Sequence, residues 1–151
     1  LPEKDVQKMK NDEAEEAGGS REQAPFSINI KRIYLPADPD DGCRILTDRL
    51  WPRGIAKEKA GLDEWRRDTA PSSALRKSFH HQAERFGEFR EAYRAELDAN
   101  PAASELVHFC EMKLQAGNVT FLYAAEDEAC NNAAVLRGWV TEHLDGSISG
   151  E

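Results

Sequence analysis

Residues 118–125 read NVTFLYAA, a run in which apolar side chains do not alternate with polar ones. A strand with one wet face alternates with period two, whereas a run apolar on both faces belongs to a strand covered above and below. That places the segment at the centre of a parallel sheet. Parallel neighbours cannot be joined by tight hairpins, so the rest of the chain must supply crossover connections.

Two other segments read as strands. SINIKRIYL, residues 27–35, sets Ile28, Ile30 and Arg32 on one side, with Ile33 and Leu35 near its end; the turn-rich PADPDDG follows. CRILTDRLW, residues 43–51, is β-branched and apolar at its centre. Alternation there puts Leu46, Asp48 and Leu50 on one face, and Ile45, Thr47, Arg49 and Trp51 on the other.

The middle of the chain has helical spacing. GLDEWRRDT, residues 61–69, reads as a short amphipathic turn or two closed by Ala70-Pro71. Ser72 or Ser73 can cap the next helix, in which Leu75 and Phe79 share a face. Phe86, Phe89, Tyr93 and Leu97 then recur on one face of a longer helix that Asn100-Pro101 ends. A further helix carries Leu106, Phe109, Cys110 and Leu114 and stops at Gly117. The last helix, residues 133–144, presents Val135, Leu136, Trp139, Val140 and Leu144, and DGSISGE reads as a loose end. The order β–β–ααα–β–α predicts a single α/β domain over residues 27–145, a small mostly parallel sheet flanked by helices. Residues 1–26, acidic and poor in large apolar side chains, read as a mobile tail, and 146–151 as a flexible end.

Composition limits the partners. The net charge is −8, which opposes nonspecific attraction to nucleic acid or an anionic membrane. No run approaches the ~18 apolar residues of a membrane span, and the N-terminus lacks the pattern of a secretory signal. Three scattered cysteines with no C-x-x-C predict reduced thiols and a cytoplasmic protein. No dinucleotide fingerprint or metal-ligand spacing occurs, so no cofactor and no metal are expected. The adjacent His80 and His81 point about 100° apart on a helix, whereas helical chelation uses i, i+4.

The chemistry concentrates in DRLWPRG, residues 48–54. An aspartate between two leucines on a core face needs a partner, and Arg49, Arg53 or the amides of a following turn are the candidates. In open α/β sheets ligands bind beyond the carboxyl ends of the strands. DRLWPRG lies at one such end and Glu126–Asn132 at another, so the two clusters are expected to converge. Arginine pairs readily with phosphate or carboxylate. Residues 49–77 hold eight Lys or Arg against four Asp or Glu, a local excess of four positive charges. Cys130, just before a helix N-terminus, is a candidate thiolate, but a plain half-buried cysteine is the favoured reading because no histidine is adjacent in sequence.

KRIYLPADPDDGCRILTDRLWPRG, then SSALRKSFHH with ERFGEFREAYRAEL, then VTFLYAAEDEACNNAAVL resemble the YeaO-like bacterial proteins, a domain-of-unknown-function family. The resemblance is collinear over about residues 30–144 and implies a compact α/β domain. Asp48, Arg49, Trp51, Pro52, Arg53, Gly54, His80, His81, Tyr123, Ala125, Asp127 and Asn131 match the family's pattern. Relatives usually carry His-Asn-His where this chain has Cys130-Asn131-Asn132, so any role resting on those two imidazoles is absent here.

Two functional expectations follow. The first is a small anionic ligand, phosphate-bearing or nucleotide-like, held at the strand edge with a hydrolase or transferase step as an option. Arg49 and Arg53 would hold the anion, Trp51 or Tyr123 would stack, and Asn131 and Glu126 would contribute polar contacts. Asp48, Asp127 or Glu126 would act as acid or base, with His80 or His81 moving a proton. The alternative is a non-enzymatic module that binds nucleic acid or a regulatory protein through the basic patch 49–77.

Overall fold

The computed structural model describes residues 26–79 and 82–149, with side chains as far as Leu144. His80, His81, the tail through residue 25 and residues 150–151 lie outside the described residues. Four strands form one sheet: β1 (Ile28–Arg32), β2 (Cys43–Leu46), β3 (Glu64–Trp65) and β4 (Val119–Tyr123). Their spatial order is β1-β4-β2-β3 and every pairing is parallel. All five β4 residues are buried, as a central strand between two neighbours and two covered faces requires.

The helices are α1 (Lys57–Ala60), α2 (Ser73–Phe79), α3 (Phe86–Asp98), α4 (Pro101–Lys113) and α5 (Asn132–Ser149). Ser72 caps α2, its Oγ accepting from Leu75 N, while Glu96 of α3 grips the Ser72 amide and hydroxyl. Asn100 caps α4 with Pro101 in its first turn. Helix α5 runs to Ser149 rather than ending near residue 144. One glycine, Gly146, costs a helix only about 1 kcal/mol, and no proline interrupts the segment.

Helices α3, α4 and α5 pack on one face of the sheet. Tyr93, Leu97, Leu106, Val119, Phe121, Leu136 and Val140 are nearly or fully buried there, and Phe26 rests half-buried against them. On the opposite face Ile33, Leu46 and Leu122 are covered by Trp51, Ile55 and Leu62 from the β2–β3 connection and by Trp65 of β3. The fold is therefore two layers with a loop-covered second face.

GLDEWRRDT departs from the helical expectation. Glu64–Trp65 pair with Ile45–Leu46 as the edge strand, and only Arg67–Thr69 make a tight turn. Aspartate and the bulky Trp65 are poor helix formers, and Leu46 O offers the Arg66 amide a sheet hydrogen bond instead. The first crossover is also shorter in helix than a β–α–β reading expects, since residues 33–42 use only a turn at Pro39–Asp41, and the second holds the single turn α1. Gly42 ends that turn at φ 66°, and a Cβ there would meet Asn118 O at 2.0 Å.

The same turn carries a buried ion network. The Asp41 carboxylate accepts from Lys31 Nζ at 3.0 Å, from Arg44 and from Asp38 N, and Arg44 also donates to Gly61 O and Ala60 O. Burial pushes the Asp41 carboxyl upward, but the hydrogen bonds from Lys31, the Asp38 amide and Arg44 outweigh it and hold the group below its ordinary value. This network locks β1 to β2 across the intervening strand.

Candidate functional site

Because every strand is parallel, all carboxyl ends lie along one edge of the sheet, where α/β ligand sites form. A cavity of about 340 Å³ opens there. Its wall takes Tyr34 from beyond β1, Asp48–Arg53 from beyond β2, and Ala124 and Ala125 from beyond β4; Arg76, Phe79 and Phe89 come from α2 and α3. Asn131 and Asn132, at the start of α5, close it. The loops after β2 and β4 thus converge at one place.

β2 ends at Leu46, so strand alternation does not continue through DRLWPRG. Leu50, assigned with Leu46 to a core face, is 61% exposed. Trp51, assigned to the opposite face, packs beside Leu46 in the loop-covered cluster, edge-on to Trp65 at 5.3 Å. The indole donates to Ile55 O at 2.6 Å, closing the motif's loop on itself. Gly54 sits at φ 82°, where a side chain would be strained, though nothing crowds the position.

Asp48 is half-buried at this loop's start. Its Oδ2 accepts from Ala124 N at 3.0 Å and its Oδ1 from Asn132 Nδ2 at 3.1 Å. These two partners come from beyond β4 and from α5, not from the following turn. Arg49 instead donates through Nε to Pro71 O at 3.0 Å and through one terminal nitrogen to Ala70 O at 3.2 Å. Arg53 stands exposed at the rim; Tyr34 donates its hydroxyl to the Arg53 carbonyl at 2.9 Å. Among the described residues no hydrogen bond or ion pair engages the Arg53 guanidinium.

The second loop is divided. Asp127 is exposed and its Oδ1 accepts from Ala129 N and Cys130 N, both at 2.9 Å. Those two amides hold its carboxyl below the ordinary aspartate value. Asn131 is buried and caps α5, its Oδ1 accepting from Ala134 N while its amide donates to Asp127 O. Glu126, Asp127 and Cys130 do not line the cavity. Tyr123 is buried in the helix-side core, where burial raises its phenol, and it does not line the cavity either. Of the candidate residues, Asp48, Arg49, Trp51, Arg53 and Asn131 come together, whereas Tyr123, Glu126 and Asp127 do not. Among the described residues no three His, Cys, Asp or Glu side chains gather as a metal site would require.

Arg76 is the residue that strand-edge reasoning missed. It lines the cavity beside Phe79, three positions on along α2, and its buried Nε has no hydrogen-bond partner among the described residues. The signal was present: Leu75 and Phe79 define the buried side of that helix, and Arg76 stands one turn from Phe79 on it. Asn132 was named in the second cluster without a role, and its contact with Asp48 spans 84 positions.

The arginines of the basic stretch 49–77 are divided between two surroundings. Arg66 pairs with Glu64 at 2.8 Å and lies over the Phe109 ring, and Arg67 lies over Trp65. Arg49, Arg53 and Arg76 face the cavity. Among the described residues no helix is long and apolar enough to cross a membrane.

Comparison with known proteins agrees with the resemblance. Residues 27–150 match the family model described as "Inactive DUF488-N3 subclade", and the chain belongs to that family. It is 42% identical over 115 residues to "Uncharacterized protein YeaO" of Escherichia coli, covering 76% of this chain and 97% of that protein. It is 43% identical over 110 residues to "Uncharacterized protein Mb3100c" of Mycobacterium bovis, covering 72% and 89% of the two chains. "Uncharacterized protein Rv3073c" of Mycobacterium tuberculosis is similar to the same extent. No solved structure matches the chain significantly.

Proposed function

We propose that this chain binds a phosphate-bearing small molecule in the cavity at the sheet's carboxyl edge, as a binding protein rather than an enzyme. The observation that carries this reading is that three arginines, Arg49, Arg53 and Arg76, line one cavity of about 340 Å³. That volume falls within the roughly 300–1,000 Å³ of small-molecule sites. Guanidinium groups held in one cavity repel one another, and an anion relieves that repulsion while accepting forked hydrogen bonds.

Binding without turnover has separate support. Asp48, the cavity's carboxylate, spends its oxygens on the Ala124 amide and on Asn132. Asp127 serves as a loop cap. The family description carries the word "Inactive".

Thermal-shift titration of the full chain with inorganic phosphate and pyrophosphate tests the proposal. Ligand that binds the folded state raises its stability by mass action, about 2.7 kcal/mol at one hundred times Kd. Arg53→Ala, an exposed change outside the core, is expected to lower or remove the shift while leaving the melting temperature of the free protein unchanged. If neither anion shifts the wild type more than that variant, the cavity is not an anion site.

A further inference from the structure

We infer that the ligand is an organic phosphomonoester in its dianionic form, and that Arg76 is the wall residue that recognises its phosphate; this rests on the anion-binding reading above.

Charge sets the class. Among the described residues, the charged side chains lining the cavity are Arg49, Arg53, Arg76 and Asp48, three positive and one negative, an excess of two. A carboxylate or a phosphodiester brings one negative charge. A phosphomonoester brings close to two above its second pKa of about 6. The dianion balances the cavity; the monoanions leave it positive.

Hydrogen-bond accounting identifies Arg76. Arg49 is already braced on the carbonyls of Pro71 and Ala70. Arg53 is exposed at the rim, where water screens it. The Arg76 Nε is shut off from water and, among the described residues, makes no hydrogen bond. Arginine cannot discard its proton, and a buried donor without a partner is destabilising. Native structures keep few such groups, and where one lines a cavity a ligand acceptor is its natural complement. Binding through that donor would require the Arg76 side chain to turn it toward the cavity it lines.

Wall composition supplies the organic part. Beyond the charged groups the lining is largely apolar, including Pro52, Pro71, Phe79, Phe89, Ala124 and Ala125. Inorganic phosphate would leave most of that surface facing water. A compact ring-bearing body attached to the phosphate covers it.

Isothermal titration calorimetry on the full chain separates these claims. The probes are phenyl phosphate, ribose 5-phosphate and adenosine 5′-monophosphate as monoesters, 3′,5′-cyclic adenosine monophosphate as a diester, and inorganic phosphate. At least one monoester is expected to bind roughly tenfold or more tightly than inorganic phosphate, and the diester to bind more weakly than adenosine 5′-monophosphate. Monoester affinity is expected to fall as pH drops below about 6. Arg76→Gln is expected to weaken the bound monoester by roughly ten- to hundredfold without lowering the melting temperature of the free protein. Arg76→Lys should recover part of the loss, since it keeps the charge and loses the fork. If no monoester outbinds inorganic phosphate, or Arg76→Gln binds as the wild type does, this inference fails while the anion site stands. If no anion binds at all, the anion-binding reading itself fails.

Discussion

Asp48 and Asn132, 84 positions apart, meet at the carboxyl edge of the sheet, where the Asn132 amide donates to Asp48 Oδ1 at 3.1 Å. The same amide nitrogen lies 3.2 Å from Thr47 O, and Asp48 Oδ2 accepts from Ala124 N. One carboxylate thereby fixes the ends of β2 and β4 and the start of α5 relative to one another, and with them the mouth of the cavity.

Removing that carboxylate leaves the Ala124 amide without its acceptor and the Asn132 amide with only its contacts to Thr47. Asp48→Ala is therefore expected to destabilise the protein by roughly 2–4 kcal/mol, above the usual range for a surface change. Urea melts measure it. A loss no larger than that of an exposed substitution would mean that these hydrogen bonds do not organise the edge.

The Asp41 network makes a pH prediction. Its folded-state pKa lies below the ordinary carboxyl value because Lys31, the Asp38 amide and Arg44 outweigh the effect of burial. A depressed carboxyl stabilises the fold fully above its unfolded pKa of about 3.9, and that contribution is lost as pH falls through the folded pKa. Stability should therefore decline with acid below about pH 4, and Asp41→Asn should flatten that decline while lowering stability at neutral pH. Urea melts across this range would refute the assignment if the variant's acid limb matched the wild type's.

The sheet and its helices were legible where one physical rule dominated. The doubly apolar run of β4 demanded a covered central strand, and the spacing of Phe89, Tyr93 and Leu97 demanded a helix with one buried face. Glu64–Trp65 escaped because two residues carry no periodicity, and their strand state comes from hydrogen bonds to β2. The site was legible by position more than by contact. The parallel topology brought the two loops together, but alternation could not orient Leu50 or Trp51 once β2 had ended at Leu46. The neighbours of Asp48 lie far along the chain, so no local pattern announces them.

Two candidate residues should prove silent in binding. Asp127 ties down its own loop and Tyr123 lies in the helix-side core. Asp127→Ala and Tyr123→Phe are expected to keep the phosphate-induced thermal shift of the wild type. A lost shift in either variant, with the fold intact by circular dichroism, would bring that residue back to the ligand.

The thiols offer a check on packing. Burial pushes the Cys110 thiol up to about 12 and also raises Cys43. Since the thiolate is the reactive form, iodoacetamide at pH 8 should leave Cys110 unmodified until denaturant is added, as read by peptide mass spectrometry. Rapid labelling of Cys110 in the native protein would show that α4 opens from the sheet.

Arg49 gives the final prediction, because its bracing separates geometry from charge. Its Nε and one terminal nitrogen rest on the carbonyls of Pro71 and Ala70, the residues that lead into α2 and Arg76. The guanidinium is planar, so fixing two of its nitrogens fixes the direction of the remaining donors toward the cavity. Arg49→Lys keeps the positive charge, but an ammonium on a flexible stem cannot bridge both carbonyls. The variant is expected to lose roughly 1–3 kcal/mol of stability. The phosphate-induced thermal shift should also shrink, although the cavity's formal charge is unchanged. Urea melts and phosphate titration of the same variant read the two effects separately. An undiminished shift in Arg49→Lys would show that charge alone, not the braced fork, holds the anion.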